Sequence, residues 1–120
     1  MFLKIKTGID IVENKRFKNK LKNKRFLNLL LSKNEQEIYF KITSKKRKLT
    51  FICGRWAIKE AIFKALNLKE NILFNNFDIY YLNNAPQFKM LNFKNFSWNV
   101  EISITHEKKF SVGFAIAFLK

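Results

Sequence analysis

The sequence predicts an α+β fold: a single small domain over residues 1–120, with a long central helix packed on a mainly antiparallel sheet. Three observations carry this reading. The chain opens on an alternating, strand-like segment, helical spacing dominates its middle, and two alternating runs around a short connection close it. A strand, then helices, then mainly strands is the order of an α+β domain. A length of 120 residues suits one core, and no internal repeat or linker divides it.

The first element, "FLKIKTGIDIVE", has the two-residue period of a half-buried strand. Leu3, Ile5, Ile9 and Ile11 fall on one face, and Lys4, Lys6, Gly8 and Asp10 on the other. The apolar set predicts the core face, so Asp10 is expected to project away from the core. Leu27, Leu30 and Leu31 then fit one helical stripe. "SKNE" has the form of a capping box, with Ser32 as N-cap and Glu35 three residues on; it predicts a break and a new helix carrying Ile38 and Tyr39. "SKKRK", Ser44 to Lys48, reads as an exposed connection. The long helix follows from about Leu49 to Leu66, where Ile52, Trp56, Lys59 and Phe63 recur at spacings of three and four; "NLKEN" ends it. "FDIYYL" (Phe77 to Leu82) reads as a strand, "NNAP" (Asn83 to Pro86) as a turn and "QFKMLNF" as a further strand. Near the end, Val100, Ile102 and Ile104 alternate with polar residues. After "HEKK", Val112, Phe114, Ile116 and Phe118 alternate with Ser111, Gly113, Ala115 and Ala117. These runs predict a hairpin whose small-residue face leaves room for close packing.

A hydrophobic content of 48%, with 14 Phe, excludes a disordered chain. The formal net charge of +15 points to an anionic partner: nucleic acid, a phosphate-rich cofactor, an acidic protein or a membrane surface. Abundant Lys, Asn, Ile and Phe also resemble the codon bias of an AT-rich genome, so charge alone weighs less than usual. The single cysteine, Cys53, excludes an internal disulfide and reads as a small core residue. "MFLKIKTGIDIVENKRF" lacks the apolar run of a signal peptide, and no run reaches membrane-spanning length, so a soluble cytoplasmic protein is expected.

There is no Walker loop, paired-cysteine zinc pattern or Ser-x-x-Lys acylation motif. What remains is a set of isolated polar residues. A lone strand residue such as Asp10 most often faces solvent, although Gly8 nearby allows a ligand or backbone to approach. Glu60 stands four residues before Lys64, an ion-pair orientation contributing roughly 0.2–0.5 kcal/mol. Trp56 reads as core. His106, the one histidine, ends a strand, where sites collect. Singly, each reads as structural. Asp10 and Glu60 together would suit Mg²⁺, with water and substrate phosphate oxygens filling its other positions. Composition does not say whether the two meet.

At these residues the chain resembles a known family. "GIDIVENKR" is similar to the G-[IL]-D-[IL]-x-x-x-x-R motif of holo-acyl-carrier-protein synthases, the small 4′-phosphopantetheinyl transferases. "GRWAIKEAIFKAL" resembles their R-[FW]-A-x-K-E-A-x-x-K-A motif, and "SITHEKKFSVGFAIA" their closing segment. Order and spacing agree over nearly the whole chain. The family's Gly-Lys-Pro turn appears here as "NNAPQF", and an arginine common in the helix after "RF" corresponds to Leu29.

The resemblance implies the 4′-phosphopantetheinyl transferase fold and a reaction in fatty acid and lipid biosynthesis. Coenzyme A, as co-substrate, donates 4′-phosphopantetheine to a serine of apo acyl carrier protein and releases adenosine 3′,5′-bisphosphate. Asp10 and Glu60 match the Mg²⁺-binding carboxylates, and Lys64 the lysine near the pyrophosphate. Arg55 and His106 match residues near the cofactor's 3′-phosphate, and Arg16 and Arg25 would face the acidic carrier protein. The serine proton would pass to Glu60 or to a Mg²⁺-bound water that Glu60 or Asp10 orients. The family also implies a homotrimer with active sites between subunits.

A reading from another class is a small basic RNA- or ribosome-binding protein. It draws on the +15 charge, the Lys-rich run from Lys15 to Lys24 and the aromatics. Against it, most Phe occupy buried-type positions and no RNA-binding signature appears. A third reading is a carrier-binding module without activity, which the presence of Asp10, Glu60 and Lys64 disfavours.

Overall fold

The computed structural model of the chain describes residues 3–68 and 72–119. It is an α+β structure. Strand β1 (Lys4–Glu13) leads through a 3₁₀ segment (Asn14–Lys20) into helices α1 (Lys24–Leu30), α2 (Lys33–Lys41) and α3 (Lys45–Leu66). A 3₁₀ turn (Phe74–Asn76) precedes β2 (Phe77–Leu82), β3 (Ala85–Met90), β4 (Asn99–His106) and β5 (Phe110–Leu119). The expected "NLKEN" terminator runs past Leu68 into positions outside the described residues. Among the described residues, no helix is long and apolar enough to cross a membrane.

The strands form an antiparallel sheet in the order β1-β5-β4 and a separate β2-β3 hairpin. Asn83 and Asn84 join that hairpin with φ of 51° and 63°. Positive φ at both central residues gives a turn whose twist suits a tight hairpin, and Asn tolerates it. The turn is therefore these two residues, and Ala85 and Pro86, expected in it, begin β3.

Helix α3 starts earlier than its apolar stripe suggests. "SKKRK" is its first turn rather than a connection: the Ser44 hydroxyl accepts from the Arg47 N–H at 3.2 Å. Lys and Arg are good helix formers, and a capped end lets them extend the helix into solvent. At the other end, Asn67 in the left-handed region (φ 50°) closes it. The capping box at α2 forms as predicted, with the Ser32 N–H donating to Glu35 and the Glu35 N–H donating to Ser32.

The small residues of the sheet decide where α3 lies. A Cβ on Gly113 would come within 2.5 Å of Ile58 backbone atoms, and one on Gly8 within 1.9 Å of the Ala61 carbonyl oxygen. The helix backbone therefore rests on the face carrying Gly8, Val12, Gly113, Ala115 and Ala117, flanked by Val100, Ile102 and Ile104 of β4. This reverses the expectation for β1. Leu3, Ile5, Ile9 and Ile11 are exposed, while Gly8 and Val12 face the helix. Asp10 shares the helix-facing side and points toward α3, not away from it.

The aromatics fill the space between helices and hairpin. Ring contacts link Phe17 and Phe26 to Trp56, Trp56 to Phe74, and Phe74 through Phe77 and Phe88 to Phe96. Centroid separations in this row are 5.3–6.2 Å, the range of favourable aromatic pairing. Trp56 is thus core, as expected, with the Arg16 guanidinium 5.8 Å from its ring.

Candidate active site

Three of the predicted site residues meet because α3 crosses β1 at Gly8. With no side chain at position 8, the helix comes close enough for Lys64 to reach back over the strand. Its Nζ donates to the Ile9 carbonyl at 3.0 Å and to Asp10 Oδ1 at 3.2 Å. Glu60 lies one turn earlier on α3. The ion pair expected from spacing, Glu60 with Lys64, is replaced by Asp10 with Lys64, because the strand presents a carboxylate to the same lysine.

The electrostatics of this cluster are unresolved within the chain. Asp10 Oδ2 is buried and has no hydrogen-bond partner among the described residues. Burial, and then the neighbouring Asp10 charge, push the Glu60 carboxyl above its ordinary value, against the pull of Lys64 and Arg16. The Asp10 charge thus acts on the Glu60 carboxyl, and one buried Asp10 oxygen is left unused between strand and helix. Such an arrangement favours a cation. Among the described residues, no group of three or more His, Cys, Asp or Glu forms a complete metal cage. A pair of carboxylates suits Mg²⁺, which commonly takes one or two from protein and the rest from water and phosphate.

Arg55 and His106 form a second group. Arg55 is buried; its Nε donates to Glu35 Oε2 at 2.9 Å and its Nη2 to the Ile79 carbonyl at 3.3 Å. Its guanidinium also lies 4.1 Å from the Phe51 ring centroid and 5.5 Å from that of Tyr81. His106, at the end of β4, is exposed on one side and pressed on the other against Gly54, where a Cβ would meet Cε1 at 2.6 Å. Burial, and then the Arg55 charge, lower its pKa. Arg16 borders the carboxylate cluster, whereas Arg25 is an exposed residue of α1.

Other polar groups were not anticipated as a network. Glu35 caps α2, as predicted, but it is also fully buried and paired with both Arg55 and Lys59. Lys59 donates further to the Leu30 carbonyl at 2.7 Å and to the Phe74 carbonyl at 3.0 Å. Burial pushes its pKa down to about 8, against the opposing pull of Glu35. The sequence signal was a lysine on the apolar stripe of α3, which requires a buried partner. Asn14 and Ser111 carried no such signal. They hold the end of β1 to the β4–β5 connection: Asn14 Nδ2 donates to the Glu107 and Lys108 carbonyls, and Ser111 donates to Asn14 Oδ1.

Residues 6–118 match the model of the 4′-phosphopantetheinyl transferase superfamily. A holo-[acyl-carrier-protein] synthase of Mycoplasma capricolum is 48% identical over 109 residues, covering 91% of this chain and 90% of that protein. A Bacillus anthracis holo-(acyl-carrier-protein) synthase solved in complex with CoA (3′,5′-ADP) is similar at a TM-score of 0.83 and 25% identity, covering 96% of each chain. A Helicobacter pylori synthase in complex with coenzyme A has a TM-score of 0.76 and 27% identity, covering 92% of this chain and 98% of its own. The chain belongs to the 4′-phosphopantetheinyl transferase superfamily.

Proposed function

We propose that this member of the superfamily is a holo-[acyl-carrier-protein] synthase, transferring 4′-phosphopantetheine from coenzyme A to a serine of apo acyl carrier protein. The observation that carries the proposal is the meeting of Asp10, Glu60 and Lys64 across β1 and α3, with Asp10 Oδ2 left unpaired. The names of the relatives and the coenzyme A complexes of the neighbours support the same substrates.

In this reading Asp10 and Glu60 hold Mg²⁺. Held there, Mg²⁺ would supply charge stabilisation for the pyrophosphate and for the adenosine 3′,5′-bisphosphate leaving group. Lys64 contributes a flexible point charge beside the same phosphates. The serine hydroxyl attacks the phosphorus that carries the pantetheine arm. The serine proton would pass to Glu60 or to a water that Glu60 or Asp10 orients. Positioning and charge stabilisation supply most of the catalysis in such a transfer. Arg55 and His106 lie toward the cofactor's 3′-phosphate, Arg55 carrying the positive charge of that end. Arg16 and Arg25 face the acidic carrier protein, and the net charge of +15 steers it from a distance. The chain acts in the cytoplasm, in fatty acid and lipid biosynthesis.

We also propose a homotrimer. Its support is the outward face of β1 and β5, where Ile5, Ile9, Ile11 and Phe114 are exposed together. A sheet face this apolar is suited to another protein surface.

The test is direct. The protein is incubated with apo acyl carrier protein, coenzyme A and Mg²⁺, and the carrier is weighed by mass spectrometry. A gain of one phosphopantetheine is expected, lost on chelation and restored by Mg²⁺. No gain with a folded enzyme and its cognate carrier refutes the assignment. Salt-sensitive RNA binding without transfer would favour the nucleic-acid reading instead.

A further inference from the structure

The hydrogen bonds around His106 determine which of its nitrogens carries the proton. Asn14 Nδ2 lies 3.1 Å from the Glu107 carbonyl and 3.2 Å from the Lys108 carbonyl. Both are acceptors, so the amide nitrogen must face them and Oδ1 must face the other way. There it accepts from Ser111 Oγ at 2.7 Å. A hydroxyl has one proton to give, and Ser111 gives it to Asn14. His106 Nδ1 lies 2.9 Å from the same hydroxyl oxygen. The serine is left with only lone pairs for the imidazole, so Nδ1 must be the donor.

We propose that Asn14 and Ser111 are positioning residues that fix His106 as the Nδ1–H tautomer, leaving Nε2 as the nitrogen presented to the cofactor's 3′-phosphate. The second half rests on the synthase reading above; the first half stands on geometry alone. Two further contacts support it. Gly54 gives the Cε1–Nε2 edge of the ring its place beside α3, and the backbone N–H of Asn14 donates to the Lys109 carbonyl at 2.7 Å, anchoring the whole connection. Asn14 and Ser111 are themselves buried, so water does not compete for these bonds.

The tautomer has a consequence for binding. Phosphate oxygens accept hydrogen bonds, and a neutral Nε2 has none to give. The ring can therefore donate to the phosphate only after Nε2 takes up a proton. Arg55 on α3 is the charged group whose field opposes that proton, while Glu107, Lys108 and Lys109 of the connection are exposed. A bound phosphate reverses the balance.

The chain's single histidine makes the test clean. In ¹⁵N spectra of the wild-type protein, at a pH where the ring is neutral, one pair of imidazole nitrogens is expected with Nδ1 protonated. A ring protonated at Nε2 would overturn the proposal without any variant. In Ser111→Ala the ring is expected to move toward the Nε2–H form; an unchanged tautomer would overturn the role of Ser111. In kinetics, the wild-type KM for coenzyme A should rise with pH as Nε2 loses its proton. The variant, whose neutral ring can donate from Nε2, should show a several-fold smaller rise with little change in kcat. It should leave KM for dephospho-coenzyme A, which lacks the 3′-phosphate, unchanged. Equal effects on both substrates would overturn the presentation of Nε2 to that phosphate. Failure of transfer by a wild-type protein that shows the Nδ1–H ring would refute the synthase reading and this presentation, but not the tautomer. An active wild-type enzyme with the Nε2–H ring would refute this inference alone.

Discussion

Lys59 and Glu35 are both fully buried, and each is the other's main compensation. Removing Lys59 leaves the buried Glu35 carboxylate to Arg55, and breaking a buried pair costs about 3–5 kcal/mol. Lys59→Met should therefore destabilise strongly, and adding Glu35→Gln should recover part of the loss; urea midpoints check both. The pair also makes stability depend on pH. The Lys59 pKa falls from 10.5 to about 8 on folding. Between those values the unfolded chain holds a proton that the folded chain has released, so this residue's contribution to stability rises with pH. The difference between wild type and the double variant should grow across that window, and Tyr39, whose pKa is raised by burial, is present in both and cancels. A difference independent of pH would show that Lys59 does not titrate as described. Between β1 and α3, losing one of the carboxylates proposed to hold Mg²⁺ would remove several kcal/mol of charge stabilisation, so Asp10→Ala or Glu60→Ala should cut Mg²⁺-dependent transfer roughly 100-fold or more. Folding should be retained, since Asp10 Oδ2 satisfies no partner among the described residues and Glu60 is held against like charge. Wild-type rates in either variant would remove that residue from the metal site. Glu60 was legible only through its motif. Its spacing to Lys64 indicated a surface ion pair, and no periodicity announces that a strand 50 residues earlier supplies the true partner.

At the scale of elements, the decisive contact is a helix resting on glycines. A Cβ at position 8 would lie 1.9 Å from a carbonyl oxygen of α3, a distance that no side-chain rotation relieves. Gly8→Ala must push helix from strand, at about 3 kcal/mol or more, the upper end of overpacking costs. It should also separate Lys64 from Asp10 and so lower transfer even in molecules that remain folded. Thermal unfolding together with a transfer assay checks both; an alanine variant with wild-type stability would mean the helix sits elsewhere. The sequence marked the small-residue face of β5 as a place for close packing, and that is where α3 lies. It misplaced β1 because alternation tells which residues share a face, not which face is inward. A row of isoleucines is normally core. Here Gly8 admits the helix backbone on the opposite side, and the isoleucines are left outside. The start of α3 was missed for a related reason. "SKKRK" has no apolar stripe, and its helicity comes from propensity and the Ser44 cap, neither of which periodicity detects.

The exposed isoleucines matter most for the molecule as a whole. Ile9 pairs with Phe114 across β1 and β5, and Ile5 and Ile11 extend the band along the strand. Ile9 is 61% and Ile11 62% exposed, which is costly for a monomer in water. The opposite side of the same strand carries Asp10, so a subunit docked on this face would lie one sheet thickness from the carboxylates proposed to hold Mg²⁺. Composition could not reveal this, because it counts the isoleucines without saying what covers them. Ile9→Lys places a charge in the middle of the band and should not disturb the chain's own core, because this side chain contributes nothing to it. Sedimentation should then show single chains in place of the proposed trimer, with the circular dichroism of the fold retained. If the active site is completed between subunits, transfer should fall with the loss of assembly and should not recover at saturating coenzyme A. A variant that stays assembled would remove this face from the interface. One that dissociates yet keeps full activity would show that each subunit holds a complete site.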